Sequence, residues 1–549
     1  MSNKIKYRFL AVLIGVGVLV AGFTRYSDVY FKIKKNFAIF SEAYEQVVLR
    51  YVDRVEPDKL LDTALSAMLD SLDPYTMIID QSKSQKLDVM TSGRYGGVGL
   101  EVGVKGDKIV VIAPIEGYSA HRQGIKPGDV IVSVNEISTD KLKPEEIQNI
   151  MRGDPGSSVT MTIKRYGLEE PLSFELKREY VEVHNVAYAG LIGPDQAMGY
   201  LLLNRFSKNT ASEVREAIRS FQSQKELEGL ILDLRNNPGG LLGEAVKTVD
   251  KFIKPGIKVV ETKGRVKEQN HVYRSEEPAI YKNLPLVVLQ NGGSASASEV
   301  VAGALQDLDR AVIIGQQSFG KGLVQVVRPL PYDMALKMTT SKYYTPSGRS
   351  IQSITYTHQD TNYTKPDSAK KAFKTRAGRT VYDSEGIIPD VQLDDKQQSR
   401  LEVALQQNSH YFFFANQYAS KYDTLSMSRV SDSLYQAFRE YLDGKDFQFK
   451  TRTEKEYQEF REQFVSDTSD NPARSALQKL DRQIELQKQQ MFQQHRSSIE
   501  EDLYLELVTR FQGKNGRIRE AIRTDHFVQN AIQLLEDPDR YHSILSVKQ

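Results

Sequence analysis

Gly229-Leu230-Ile231-Leu232-Asp233-Leu234-Arg235-Asn236-Asn237-Pro238-Gly239-Gly240 decides the fold class. Leu230, Ile231, Leu232 and Leu234 form a nearly continuous apolar run, the pattern of a strand covered on both faces. The Asn-Asn-Pro-Gly-Gly that follows turns the chain into a helix ending near Ile253. The same logic recurs at Pro285 to Gln290, where Asn291-Gly292-Gly293 turns into a helix starting near Ala295. Upstream, Met198 to Leu203 reads as a strand and Ala211 to Gln224 as a helix. Strands and helices alternate from about 181 to 395, which predicts an α/β core with a partly parallel sheet.

Residues 84–180 differ in character. Tyr95-Gly96-Gly97-Val98-Gly99-Leu100-Glu101-Val102 is a glycine-rich loop running into a strand, and short β runs follow at Ile109 to Ala113, Val130 to Asn135 and Val159 to Arg165. Residues 36–83 read as an N-terminal helical segment. There Phe37, Phe40, Tyr44, Val47 and Tyr51 make one apolar stripe, and a second helix runs from Pro57 to Leu72. Residues 396–549 hold only Gly444, Gly513 and Gly516 and are rich in Gln, Glu, Arg and Leu. They read as a helical C-terminal extension with polar linkers such as Ser466 to Asn471.

The composition excludes several classes of function. Lys plus Arg is 73 against 71 for Asp plus Glu, so no global field exists to hold a nucleic acid. Cysteine is absent, which removes thiol catalysis, thiolate metal sites, disulfides and a lipobox anchor. None of the eight histidines sits in a metal-binding pattern, and no acidic cluster resembles a cation loop. No cofactor or metal is expected. At the N-terminus, Lys4, Lys6 and Arg8 precede an uncharged run from Phe9 to Thr24, closed by Arg25. This is the export pattern. Residues 1–25 are read as a single uncleaved anchor in a bacterial inner membrane, with the rest of the chain in the periplasm. Cleavage near Val20-Ala21-Gly22 is the alternative, and would leave the chain free in that compartment.

Three short motifs carry chemistry. Gly292-Gly293-Ser294-Ala295-Ser296-Ala297-Ser298-Glu299 follows a strand and opens a helix. The unpaired N–H groups of a helix start face developing negative charge, as a tetrahedral acyl intermediate requires. Serine is also a preferred helix cap, so this run alone decides nothing. In the Pro238-Gly239-Gly240 turn, glycine lets a substrate carbonyl approach the backbone closely. Phe319-Gly320-Lys321-Gly322 presents a lysine flanked by glycines, sterically open on both sides. To act as a base near neutrality, a lysine needs its pKa lowered by about three, or roughly 4 kcal/mol. Burial beside a serine supplies that in Ser–Lys variants of the catalytic triad. A phosphate loop is disfavoured, because Gly322 stands where Ser or Thr is required. A conventional triad would draw on His271 or His358, and nothing in the sequence supports either.

Taken together, these motifs resemble the C-terminal processing peptidases, or tail-specific proteases, over roughly residues 36–392. The resemblance rests on Ser-Leu-Asp-Pro-Tyr at 71–75, the glycine loop at 96–100, Asp-Leu-Arg-Asn-Asn-Pro-Gly-Gly at 233–240, Gly-Ser-Ala-Ser-Ala-Ser-Glu at 293–299, Phe-Gly-Lys-Gly at 319–322, and Tyr-Tyr-Thr-Pro-Ser-Gly-Arg at 343–349. Tyr75 stands where many members have His, at a position that is not catalytic. The resemblance implies a crotonase- or Clp-protease-like ββα core over 181–395, a PDZ domain over 84–180 and serine endopeptidase activity near the C-termini of envelope proteins. It implies Ser296 as nucleophile, Lys321 as general base and Gln325 as the group that orients the lysine. The N–H of Ala297 and a glycine of the turn, Gly239 or Gly240, would form the oxyanion hole. Successive N–H groups at Val98, Gly99 and Leu100 would form a nest for a substrate's terminal carboxylate, with the adjacent strand edge accepting its chain. Arg152 matches a position that in some members links peptide occupancy to the active site; the alternative for it is a solvated loop cation. The implied partners are protein tails, a second copy of the chain and an adaptor protein, besides the membrane through the N-terminal segment. The competing reading is a non-catalytic, membrane-anchored PDZ scaffold. A trypsin-like PDZ protease fails on chain order and on its missing Gly-Asn-Ser-Gly-Gly run. An acyl-CoA enzyme of the crotonase fold is disfavoured by the PDZ segment and the Ser–Lys pair. The extension from 396 is assigned to no family.

Overall fold

The computed structural model describes residues 28–80, 89, 91–140, 142–281, 283–356, 363–364, 370–383, 385–465 and 473–546. The expected anchor at 1–25 and the linker at 466–471 lie outside these. Among the described residues no helix is long and apolar enough to cross a membrane. The described residues fall into two units: residues 28–79 with 327–338, and the other described residues.

In the smaller unit, helices cover 28–50 and Pro57–Asp70. Pro57 opens the second, where a missing N–H is harmless. The helical reading of 36–83 overshoots, because Met77–Ile79 is a strand antiparallel to residues 335–337. Between helix and strand, the Asp73 carboxylate accepts from the N–H groups of Tyr75 and Thr76, at 2.8 and 2.9 Å, and so closes the Asp-Pro turn.

The larger unit is built on a six-stranded sheet. Its strands are β1 (Val186–Ile192), β2 (Met198–Leu203), β3 (Gly229–Asp233), β4 (Leu286–Gln290), β5 (Val312–Gly315) and β6 (Val391–Gln392), lying side by side in that order. Only the β1–β2 pair is antiparallel. Three helices are threaded between the strands: α1 (Thr210–Gln224), α2 (Leu242–Val249) and α3 (Ala297–Asp307). Strand side chains alternate between faces. Leu230, Leu232, Leu286, Val288 and Ile313 join the core formed with α1, α2 and α3. Ile231, Val287, Leu289, Val312 and Ile314 point the other way. Three helices from the far end of the chain cover that second face: the last part of α4 (Arg496–Thr524), α5 (His526–Leu535) and α6 (Pro538–Leu545). Ile522, Phe527, Val528, Ile532 and Leu535 supply the apolar contacts. Tyr541 adds a polar one, its hydroxyl donating to the Leu286 carbonyl and accepting from the Leu286 N–H, both at 3.0 Å.

The β-rich segment has its own core, with Val98, Leu100, Val111, Ile131, Ile147, Met161 and Ile163 buried together. Its main path runs Leu100–Lys105, Lys108–Pro114, Val130–Val134, Ser158–Lys164, Leu172–Lys177. A two-stranded ribbon, Arg94–Gly97 with Glu179–Glu182, ties the segment's entry to its exit. The remaining C-terminal helices, including Arg400–Gln407, His410–Ala419 and Asp432–Asp443, pack around the first part of α4. They also meet the β-rich segment, where Asn416 Nδ2 donates to the Gly128 carbonyl at 3.2 Å.

Candidate active site

The two glycine turns read from the sequence leave the C-terminal ends of the adjacent parallel strands β3 and β4, the usual crevice of an open α/β sheet. They are stitched together. Asn236 N–H donates to Asn291 Oδ1 at 2.9 Å, and Asn291 Nδ2 returns a bond to Asn236 Oδ1 at 3.0 Å. Ala295 N–H donates to the Asn237 carbonyl at 3.0 Å.

The three serines of the second turn are not equivalent. Ser294 and Ser298 are buried, and their hydroxyls donate to the carbonyls of Leu234 and Asn237 at 2.8 and 2.9 Å. They hold the turns together. Ser296 is half-buried at the N-cap of α3, with φ 57° and ψ −113°. A non-glycine residue costs of order 1–3 kcal/mol in such a region and persists only where its surroundings impose it. This strained strand-to-helix corner is the geometry that lifts a nucleophilic serine out of a turn. It also explains why α3 begins at Ala297 rather than near Ala295.

Gly239 fits against this corner. A Cβ placed there would lie 2.8 Å from Ser296 Cβ and 2.7 Å from the Ala297 nitrogen, so only glycine allows the approach. Its own N–H donates to Asn237 Oδ1 at 2.9 Å. Gly240, with φ 150°, sits against the Phe206 carbonyl, where a Cβ would fall within 2.0 Å.

Glu299 organises the site and was given no role in the sequence reading. It is fully buried. One carboxylate oxygen accepts from the N–H groups of Ser296 and Lys321, at 2.7 and 2.9 Å. The other accepts from Ser318 Oγ and the Gly320 N–H, at 2.6 and 2.7 Å. The main-chain nitrogens of Ser296 and Lys321 are thereby held on a single oxygen atom. Burial pushes the Glu299 pKa above the ordinary carboxylate value, and its four donors pull it part of the way back. The Tyr343 hydroxyl, also buried, lies within hydrogen-bond reach of the carbonyls of both Ser296 and Lys321, which share its single donor. A Ser-x-x-Glu run signals a capping box in the sequence. Nothing local says that its glutamate will also hold a loop twenty residues downstream.

The glycines around Lys321 do not leave open space, contrary to the sequence reading. A Cβ on Gly320 would meet Ser353 Oγ at 2.3 Å, and one on Gly322 would meet the Gln352 nitrogen at 2.8 Å. They admit a strap of chain, and Lys321 itself is half-buried.

Comparisons with known proteins bear on this arrangement. Residues 197–361 match the family described as peptidase family S41, residues 110–165 match a PDZ domain, and residues 401–535 match the C-terminal helical domain of a probable PDZ-protease. The carboxy-terminal-processing protease of Bartonella bacilliformis is 41% identical over 325 residues, covering 58% of this chain and 73% of the relative. The chain belongs to the carboxy-terminal processing protease family. The carboxy-terminal processing protease CtpB of Bacillus subtilis is 34% identical over 314 residues, covering 56% of this chain and 64% of that one. A solved photosystem II D1 C-terminal processing protease is 28% identical, covering 64% of this chain and 86% of its own, with a TM-score of 0.35. This processing protease is therefore a serine-type peptidase with a PDZ domain, and its extension, assigned to nothing from sequence, has a family of its own.

The other expected site residues fall as follows in the protease. Gln325 Nε2 donates to Thr339 Oγ1 at 3.2 Å on the neighbouring strand. In the PDZ domain, Val98 and Leu100 are buried, and Gly99 has φ 73° with Tyr118 packed against it. The strand Leu100–Lys105 lies at the end of its sheet. The Arg152 guanidinium lies over the Tyr95 ring at 5.1 Å, and among the described residues no hydrogen bond or ion pair links it to the Ser296 turn. His271 Nε2 contacts the Glu268 carbonyl at 2.7 Å. His358 is outside the described residues.

Proposed function

We propose that this protease is a Ser–Lys endopeptidase that captures protein tails through its PDZ domain and cuts them near the C-terminus. Ser296 is the nucleophile, Lys321 the general base and Gln325 the group that orients the lysine. One observation carries the reading: the strained Ser296 corner and the Lys321 loop share a single oxygen of the buried Glu299 carboxylate. Neutral Lys321 takes the Ser296 proton as Oγ attacks the peptide carbonyl. The oxyanion is held by the Ala297 N–H and by the Gly240 N–H, since the Gly239 N–H already serves Asn237. Lys321 then gives its proton to the leaving amine, and water hydrolyses the acyl-enzyme. The substrate's terminal carboxylate sits in the Val98–Leu100 nest and its chain extends along the strand that begins at Leu100. Arg152 senses that occupancy. The N-terminal segment directs the protease to the cell envelope, where its substrates reside. A second copy and an adaptor are its proposed partners.

The test uses the chain without residues 1–25 and an unfolded substrate with an apolar free C-terminus. Wild type should cleave, while Ser296→Ala and Lys321→Ala should lose activity by about 10³-fold or more. Cleavage by Lys321→Ala at the wild-type rate would assign the base elsewhere. An inert wild type that still binds the tail would favour the scaffold.

A further inference from the structure

We propose that Asp525, in the helical extension, is a positioning residue for the catalytic centre and acts through Arg235 on the oxyanion turn. This rests on the reading of Asn236–Gly240 as that turn.

Arg235 is the residue immediately before the turn. Its guanidinium is held from two sides. Asp233, at the end of β3 and fully buried, accepts from Arg235 Nε at 3.0 Å and from Nη2 at 2.6 Å. Asp233 also accepts from the Tyr200 hydroxyl at 2.7 Å and from the Arg235 N–H at 2.9 Å. The second side comes from the far end of the chain: Asp525 Oδ2 lies 2.8 Å from Arg235 Nη2. The Phe527 ring covers the guanidinium with its centroid at 5.2 Å. A planar guanidinium with two carboxylates and a ring in fixed places has one orientation left to it.

Asp525 is itself immobilised. It caps α5, its Oδ1 accepting from the N–H groups of Phe527 and Val528 at 2.9 and 3.3 Å. The connection to the reacting centre is continuous. A helix end fixes Asp525, Asp525 fixes Arg235, and the next residue, Asn236, is bonded to Asn291 at the base of the Ser296 turn.

Docking alone would produce a similar contact, and Tyr541 shows what docking looks like. It belongs to the same helical layer and bonds to Leu286, at the beginning of β4 and away from the turns. It therefore serves as the control.

The experiment measures kcat, KM and Tm in the full chain for Asp525→Asn, Asp525→Ser, Tyr541→Phe and Ser296→Ala. Asn and Ser both preserve the helix cap and remove the charge facing Arg235. We expect kcat to fall about tenfold in both Asp525 variants, with KM within about twofold and Tm near wild type. Tyr541→Phe should lower Tm and leave kcat alone. Wild-type kcat in the Asp525 variants overturns the proposal while Ser296→Ala remains inactive. A fall in Tm with no separate fall in kcat, as in Tyr541→Phe, overturns it too. An active Ser296→Ala would instead remove the underlying reading of the site.

Discussion

The two faces of the six-stranded sheet are equally dry and differently made. On one face, each covering helix is threaded between the strands it covers. Val214, Val249 and Val301 of α1, α2 and α3 are fully buried there, in one core with Leu232 and Val288. On the other face, Ile231, Val287 and Leu289 are just as buried, but under helices from the end of the chain. A parallel sheet needs both faces covered, and this core supplies helices for one. The C-terminal layer completes the hydrophobic core and is not an accessory. The strained Ser296 corner sits where the two layers meet the same strand ends: α3 carries Ser296 at its start, while α5 carries Asp525 at its own.

The equivalence of the faces can be broken most severely by deletion. Ending the chain after residue 395 exposes Ile231, Val287, Leu289, Val312 and Ile314. At about 1.5–3 kcal/mol each, their loss is comparable to a typical domain stability of about 5–15 kcal/mol. The truncated chain should not yield soluble, cooperatively unfolding protein, as judged by circular dichroism and gel filtration. A stable, active fragment would make the layer dispensable.

A matched pair of substitutions sharpens the comparison. Leu305→Ala on the threaded face and Leu534→Ala on the covered face each remove a fully packed side chain, 0% and 1% exposed. Both should cost about 2–5 kcal/mol in urea unfolding. A loss under about 1 kcal/mol for Leu534→Ala alone would show that the second face is loosely packed.

The smallest effect concerns the Glu299 carboxylate. Its folded pKa lies above its ordinary value of 4.5 because of burial, so the folded state binds the proton more tightly than the unfolded chain. Stability from this group therefore falls as pH rises from the unfolded pKa through the folded one, and is highest below both. Replacing wild type by Glu299→Gln should remove that component from the pH slope of the unfolding free energy. The same change should reduce cleavage. An amide presents an NH2 group to two donors whichever way it is turned, because each carboxylate oxygen accepts two. An unchanged slope would mean that Glu299 is not the titrating group.

Much of this was legible in the residues. The run Leu230-Ile231-Leu232 has no polar alternation, and that alone announces a strand covered twice. The asparagine–glycine turns after β3 and β4 stand out because few other residues tolerate such corners. What stayed hidden was long-range. Ser296 differs from Ser294 and Ser298 only through a backbone angle set by neighbours, and through which hydroxyls find carbonyls across the two turns. The role of Arg235 needs Asp525, 290 positions away, and no local pattern connects them.

The sequence by itself determined the α/β class, the separate character of the β-rich and helical segments and the two asparagine–glycine turns after adjacent strands. Those follow from side-chain periodicity and from the few residues that turns accept, both local properties. Only the tertiary structure decided which serine is strained, which carboxylate joins the serine to the lysine loop and what closes the second face of the sheet. Each of these depends on contacts between segments far apart in the chain, formed because buried polar groups need partners and buried apolar faces need cover.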